Sequence, residues 1–136
     1  MKPGLTIAKE TVQGRVPVMV FHLEGEIDSE SYEQLQAQAS EAFESGTRTL
    51  LLDMTKVPYI SSAGIRSLHY IFNLLRQDID SESDEAIRKG LRDGTFKSPH
   101  LKLLNPQPKV HQVLKSTGYD MFLEIYPDLR SAVNSF

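Results

Sequence analysis

Residues 49–65, TLLLDMTKVPYISSAGI, join a strongly apolar segment to a pair of serines. The three leucines at 50–52 follow one another without polar alternation, which is the pattern of a strand that is covered on both faces and lies inside a parallel sheet. Asp53 is expected to end this strand, and Pro58 argues against a second central strand in the connection. The segment therefore predicts a buried central strand that leads through a short loop to the serine pair.

The residues after the serine pair predict an amphipathic helix. Apolar side chains recur at steps of three and four residues, a spacing typical of a helix with one face against a core; they are Ile65, Leu68, Ile71, Phe72, Leu74 and Leu75. Ser61 or Ser62 is its predicted N-cap, because a serine hydroxyl can accept a hydrogen bond from a backbone N–H of the first turn. Residue type alone makes capping the simpler explanation of both serines.

The segment 53–64, DMTKVPYISSAG, resembles the signature of the STAS domain of bacterial anti-sigma factor antagonists. In that signature, an aspartate, a few mixed residues and an apolar residue precede Asp-Ser-Ser-Gly. The partner kinase of this family phosphorylates the serine directly after the second aspartate, which implies phosphorylation of Ser62, with Ser61 as the second choice. Ser61 stands where the family usually has aspartate, and Ala63 where it often has a second serine.

Composition favours a single domain that binds proteins. The chain has 136 residues, of which 40% are hydrophobic, so we interpret 1–136 as one domain with its own core. A net charge of -3 offers no electrostatic footprint for nucleic acid or for an anionic membrane. The absence of cysteine excludes disulfides and thiolate metal sites. No apolar run approaches the length of a membrane span and no signal-like segment opens the chain, so a cytoplasmic location is expected by default.

The N-terminal part of the chain predicts a β-hairpin. Apolar residues alternate with polar ones over 5–12, residues 13–15 supply a turn, and an apolar run follows at 16–23. Pro17 should lie near the start of its strand, where a missing N–H is tolerated. His22 is expected to be a half-buried strand residue without a nearby companion that would make it a ligand or a base.

A helix should follow the hairpin. Apolar residues repeat at helical spacing over 32–43, and Asp28 or Ser29 is the predicted N-cap. The segment 25–28, GEID, is similar to the residues before the first helix of STAS domains, which implies that Asp28 lies close to the phosphorylation site. A simple capping role explains this aspartate equally well.

Residues 77–100 stand where STAS domains have only a short loop, so we interpret them as an insertion. Its segment 78–85, DIDSESDE, is acidic and nearly free of core residues, and we expect 78–98 to be the most mobile or irregular part of the chain. A short helix from Ser83 to Leu91 is an alternative for part of it. The sequence leaves open whether so long a loop is functional or a tether.

The C-terminal part predicts a strand at 101–104, a helix that ends before Gly118, a strand at 122–126 and a last helix with Pro127 at its first position. The order ββαβα, insertion, βαβα indicates an α/β fold with a mixed sheet of about four to five strands and helices mainly on one face. The serine junction would then lie beyond the carboxyl end of a strand, where open α/β sheets usually carry their function. The STAS resemblance covers nearly the whole chain outside the insertion.

No motif in the chain points to catalysis. Ser61-Ser62-Ala63-Gly64 is neither a nucleophile elbow nor a phosphate-binding loop. The four histidines show no metal-ligand spacing; they are His22, His69, His100 and His111. We therefore expect a binding protein rather than an enzyme, folded without metal or cofactor.

Counting along the helix from Ser62 brings Arg66, His69 and Asn73 to the same face. A solvated helix face is the simpler explanation of this stripe if the serine is set aside. The resemblance implies instead that the face docks on an anti-sigma factor of the serine kinase type and that phosphorylation ends the binding. The residues implied in partner binding are Asp28, Ser61, Ser62, Ala63, Gly64, Arg66, His69 and Asn73. The alternative is a scaffolding or ligand-binding STAS domain that is never phosphorylated, and a homodimer is left open.

Overall fold

The computed structural model describes residues 4–76, 98–121 and 123–136. These residues form a five-stranded sheet in the order β1-β2-β3-β4-β5, in which β1 and β2 are antiparallel and every other neighbouring pair is parallel. The strands are β1 Thr6–Gln13, β2 Pro17–Glu24, β3 Leu50–Lys56, β4 Leu101–Leu104 and β5 Ile125–Tyr126. The predicted mixed sheet and opening hairpin are confirmed, with Pro17 at the first position of its strand.

Helices cover the two faces of the sheet unequally. Those in the described residues are α1 Tyr32–Glu44, α2 Ser62–Leu75, α3 Pro108–Thr117 and α4 Leu129–Asn134. The first three pack their apolar residues on one face, against side chains such as Phe21, Leu52 and Leu103. Of the helices in the described residues, only α4 packs on the second face, where Ala132 and Val133 join the side chains of β2, β3 and β4. The expectation of helices mainly on one face is confirmed.

Strand β3 is the buried centre that the leucine run predicts. Leu50, Leu51 and Leu52 are all 0% exposed; the outer two face α1–α3 and Leu51 faces α4. The prediction that Asp53 ends the strand is wrong, since β3 and its pairing with β2 continue to Lys56, with a register shift between His22 and Glu24. Asp53 is accommodated within the strand because its side chain points to the second face, where polar neighbours bind it.

The start of α1 differs from the prediction. Its N-cap is Ser31 rather than Asp28 or Ser29, because a tight turn over 28–31 precedes the helix. The Asp28 carboxylate accepts a hydrogen bond from the backbone N–H of Ser31 at 3.2 Å, while the Ser31 hydroxyl accepts one from the N–H of Asp28 at 3.1 Å. Asp28 therefore caps this turn and not the helix itself.

Two further boundaries near the C-terminus differ. Strand β5 has only two residues, Ile125–Tyr126, where a strand over 122–126 was expected, and a 3-10 turn at Tyr119–Met121 comes shortly before it. Pro127 precedes the N-cap of α4 instead of occupying its first position. The cap is Asp128, whose side chain accepts a hydrogen bond from the N–H of Ser131 at 2.8 Å.

Most of the predicted insertion, including the alternative helix Ser83–Leu91, lies outside the described residues. Its last residues lead into β4: Ser98 is buried, and its hydroxyl accepts hydrogen bonds from the N–H groups of His100 at 3.3 Å and Leu101 at 3.2 Å. The start of β4 is thus capped by a side chain shortly before it.

A buried lysine holds the C-terminal helix to the sheet. Lys102, 4% exposed, points from β4 to the second face and donates hydrogen bonds to the carbonyl and the hydroxyl of Ser135 at 2.9 and 3.0 Å. Its ammonium also lies 3.3 Å from the Glu124 carboxylate and 4.8 Å from the centre of the Phe136 ring. A buried cation needs such partners. Ser135 and Phe136 at the end of α4 supply two of them, and Glu124 directly before β5 supplies the third.

Candidate functional site

The serine junction is built from two loops that leave neighbouring strands. The loop after β2 and the loop after β3 run side by side, with Ile27 and Ile60 as a parallel bridge. The N–H of Ile27 donates to the carbonyl of Tyr59 at 3.0 Å, and the N–H of Ser61 donates to the carbonyl of Ile27 at 2.9 Å. Both loops lie beyond the carboxyl ends of their strands, and backbone hydrogen bonds fix the serines relative to the loop that carries Asp28.

The two serines have different roles at the start of α2. Ser61 is the N-cap, with extended backbone, and its hydroxyl accepts a hydrogen bond from the N–H of Gly64 at 3.3 Å. Ser62 is the first helical residue; its side chain is exposed and makes no hydrogen bond to the described part of the chain. The N-cap is therefore Ser61, and the hydroxyl of Ser62 has no hydrogen-bond partner among residues 4–76, 98–121 and 123–136.

Replacing Ser61 by alanine should lower the free energy of unfolding by about 1 kcal/mol, the usual cost of losing an N-cap side chain. The exposed hydroxyl of Ser62 has no such role, so Ser62→Ala should change stability by less than about 0.5 kcal/mol. Urea denaturation of both variants beside the parent measures the difference. Equal losses for the two variants would contradict the assignment of the cap.

Ala63 and Gly64 face the interior of the domain. Ala63 is 4% exposed, and Gly64 is also buried. A Cβ atom added to Gly64 would lie 2.5 Å from the carbonyl oxygen of Ile27 and 2.5 Å from Cγ1 of Ile60. Their small size lets α2 pack closely on the two loops, and their predicted part in partner binding stays a prediction.

Asp28 is also largely enclosed, with 8% of its surface exposed. Its carboxylate accepts hydrogen bonds from the N–H groups of Glu30 at 3.0 Å and Ser31 at 3.2 Å. These contacts shape the loop that carries Ile27. The structure thus supports a positioning role for Asp28 at the junction.

The predicted polar stripe lies on the outer face of α2. Arg66 and His69 are exposed and Asn73 is half-buried. They line a shallow groove of about 490 Å³ together with Tyr70, Leu74 and Tyr119. The ring of Tyr119 meets His69 edge-on, with ring centres 6.3 Å apart. The sequence did not identify either tyrosine as part of this groove. Tyr119 belongs to a segment distant in sequence, and Tyr70 lies between the apolar and the polar stripe of α2.

A model of the STAS domain matches residues 9–82, which is more than half of the chain. The chain belongs to the STAS domain family. BtrV of Bordetella bronchiseptica, named as an anti-sigma factor antagonist, is 29% identical over 110 residues that cover 81% of this chain and 76% of BtrV.

Solved structures share the fold of this STAS domain. An anti-sigma factor antagonist from Mycobacterium paratuberculosis superposes with a TM-score of 0.70 at 18% identity, covering 96% of this chain and 92% of the other. Bacillus SpoIIAA, in its phosphorylated form, superposes with a TM-score of 0.60 at 21% identity, covering 95% of this chain and 97% of the other. These comparisons confirm the mixed α/β architecture that the sequence predicts.

The expectation that His22 has no companion is wrong. In this STAS domain, Nδ1 of His22 lies 2.7 Å from Oδ2 of Asp53, and Nε2 lies 2.8 Å from Oε2 of Glu10. Hydrogen bonds with Glu10 and Asp53 raise the pKa of His22 above its ordinary value of 6.5. Sequence reasoning missed these contacts because the three residues come from three strands.

Two further observations bear on the site. Among the residues that the structure describes, no group of three histidine, aspartate or glutamate side chains is placed to hold a metal ion. Within the same residues, no helix is long and apolar enough to cross a bilayer.

Proposed function

We propose that this STAS domain is an anti-sigma factor antagonist whose binding is switched by phosphorylation of Ser62. It would bind an anti-sigma factor of the serine kinase type through the face of α2 that carries Ser62, Arg66, His69 and Asn73. The observation that carries the proposal is the division of roles at the serine pair: Ser61 caps the helix, so the hydroxyl of Ser62 is exposed and available. The relatives named as anti-sigma factor antagonists support it.

The position of Ser62 suits a phosphate that acts on the partner and leaves the domain folded. A phosphoserine carries a charge of about -1.5 to -2 at neutral pH. At the first position of a helix, this charge faces backbone N–H groups that have no partner within the helix and the positive end of the helix dipole. Phosphorylation should therefore be neutral or mildly stabilising for the domain itself.

The remaining predicted site residues would position the switch. Ser61 holds the first turn of α2, Gly64 and Ala63 let that turn pack on the loops, and Asp28 shapes the loop beneath it. In this proposal the chain acts as one STAS domain with an insertion at about 77–100, it is not an enzyme, and its function needs no cofactor.

Intact-mass measurement with ATP and a kinase tests the proposal. The kinase to use is the serine-kinase-type anti-sigma factor encoded nearest to this protein in its genome. The parent and Ser61→Ala should gain one phosphate, whereas Ser62→Ala should gain none. Peptide mapping must place the phosphate on Ser62. Phosphate on Ser61 alone would contradict the assignment, and stable binding to the kinase without any modification would favour the scaffolding alternative.

A further inference from the structure

Three charged side chains meet on the second face of the sheet, away from the serine junction. Glu10 projects from β1, His22 from β2 and Asp53 from β3, and His22 and Asp53 are direct partners in the parallel pairing. The two carboxylates flank the imidazole, with contacts of 2.8 Å to Nε2 and 2.7 Å to Nδ1. The side chain of His22 thus connects two strands that are not neighbours.

The chemistry of these contacts sets the protonation state of the histidine. An ionised carboxylate only accepts hydrogen bonds, so both ring nitrogens must carry a proton for both contacts to be favourable. A neutral imidazole has one N–H and would turn a lone pair toward one of the two carboxylates. The geometry therefore fits the doubly protonated, cationic ring.

The other polar groups near the imidazole of His22 do not compete with the two carboxylates for its ring nitrogens. Thr55 donates to Oδ1 of Asp53 from its hydroxyl at 2.6 Å and from its N–H at 3.1 Å, which holds this carboxylate in place. Glu24 and Lys56 line the same hollow, one with each sign of charge. Lys102, on the same face, lies beside Leu51 and is engaged with Glu124.

We propose that Glu10, His22 and Asp53 form a protonation-dependent clasp that fastens the edge strand β1 to β3. Within the described sheet, strand β1 pairs with β2 alone, and most of its residues are exposed. The cluster that contains α4 includes Val12, Val18 and Val20 of the hairpin, which lie toward the turn between β1 and β2. The clasp holds the other part of β1, and it acts on the strand that leads to Ser61. The inference is independent of the proposed function.

The sign of the pH effect follows from the two shifts. The folded-state pKa of His22 is raised, so its contribution to stability is complete below about pH 6.5 and is lost as the pH rises through the folded value. Burial works to raise the pKa of Asp53, but hydrogen bonds from Thr55 and His22 hold it below 3.8. Its contribution is present above 3.8 and is lost as the pH falls through the lower folded value.

Amide hydrogen exchange of the full chain tests the clasp. Protection factors of the β1 amides near Glu10 should fall about two- to fivefold when the pH rises from about 6 to above the folded pKa of His22, as expected for loss of one partly exposed ion pair. His22→Gln should have lower protection than the parent at about pH 6, should match the parent above the folded pKa of His22, and should lose this pH dependence. Glu10→Gln should lose this pH dependence as well, although His22 keeps its contact to Asp53 in this variant.

His111 supplies the matched control. It is exposed on α3, which follows β4, and it is far from the clasp along the chain. His111→Gln should keep the pH profile of the parent. Long-range nitrogen–proton NMR of His22 should show two protonated ring nitrogens at about pH 6. A single protonated nitrogen there, or a His22→Gln profile that matches the parent, would overturn the proposal.

Discussion

Replacing Ser62 by aspartate should weaken binding of the serine-kinase-type anti-sigma factor by about 30-fold to several thousand-fold. The reason is that an unpaired charge buried in an interface costs on the order of 2–5 kcal/mol. In the free domain the same charge faces water at a helix N-terminus, where it should leave the stability of the fold unchanged or raise it slightly. Binding titration with the unmodified kinase measures the loss, and the melting temperature of the variant should match that of the parent.

Two control variants test whether the loss of binding depends on a charge at position 62 or on any added charge. Ser62→Ala should bind as the parent does, because it removes a hydroxyl without adding charge. Ser45→Asp adds the same charge to an exposed serine directly after α1. Ser45 lies beside Pro17 and Thr49, at the end of the sheet opposite the serine junction, so this variant should also bind normally. Normal binding by Ser62→Asp would show that Ser62 is not the switch.

Gly64→Ala should lower the free energy of unfolding by about 1–3 kcal/mol, the usual cost of overpacking a well-packed site. In an exposed helix the same change is favourable by about 1 kcal/mol, because alanine is the better helix former. Here the new Cβ would lie 2.5 Å from the carbonyl oxygen of Ile27 and 2.5 Å from Cγ1 of Ile60. Relief of this overlap requires α2 to move from the loop whose carbonyl accepts the Ser61 N–H.

Urea denaturation measures this loss, and the chain offers a matched glycine. A Cβ atom on Gly4 would meet nothing within 4 Å, so Gly4→Ala should change stability by less than about 0.5 kcal/mol. If Gly64→Ala proved as stable as the parent, the close packing of α2 on the loops would not matter for folding. Because the overlap lies directly beneath the serines, the same variant should also weaken kinase binding.

Local pattern was sufficient to determine the main elements of the fold. The uninterrupted leucines at 50–52 require cover on both faces, and they are the centre of the sheet. The apolar spacing from Ile65 onward predicts the buried face of α2, which packs as expected. In both segments the signal is the periodicity of a single element, which neighbours in sequence fully specify. The segment 53–64 was likewise sufficient to indicate the family.

Only the tertiary structure decided the roles of individual residues at the junction. Ser61 and Ser62 are chemically alike, and which of them caps depends on the hydrogen bond that holds Ser61 to Ile27. The size of Gly64 has meaning only against the loop that packs on it. His22 contacts Glu10 and Asp53, which lie 12 and 31 positions away from it along the chain and belong to two other strands. Such contacts depend on how strands align across the sheet, and that register is set by the packing of the whole core.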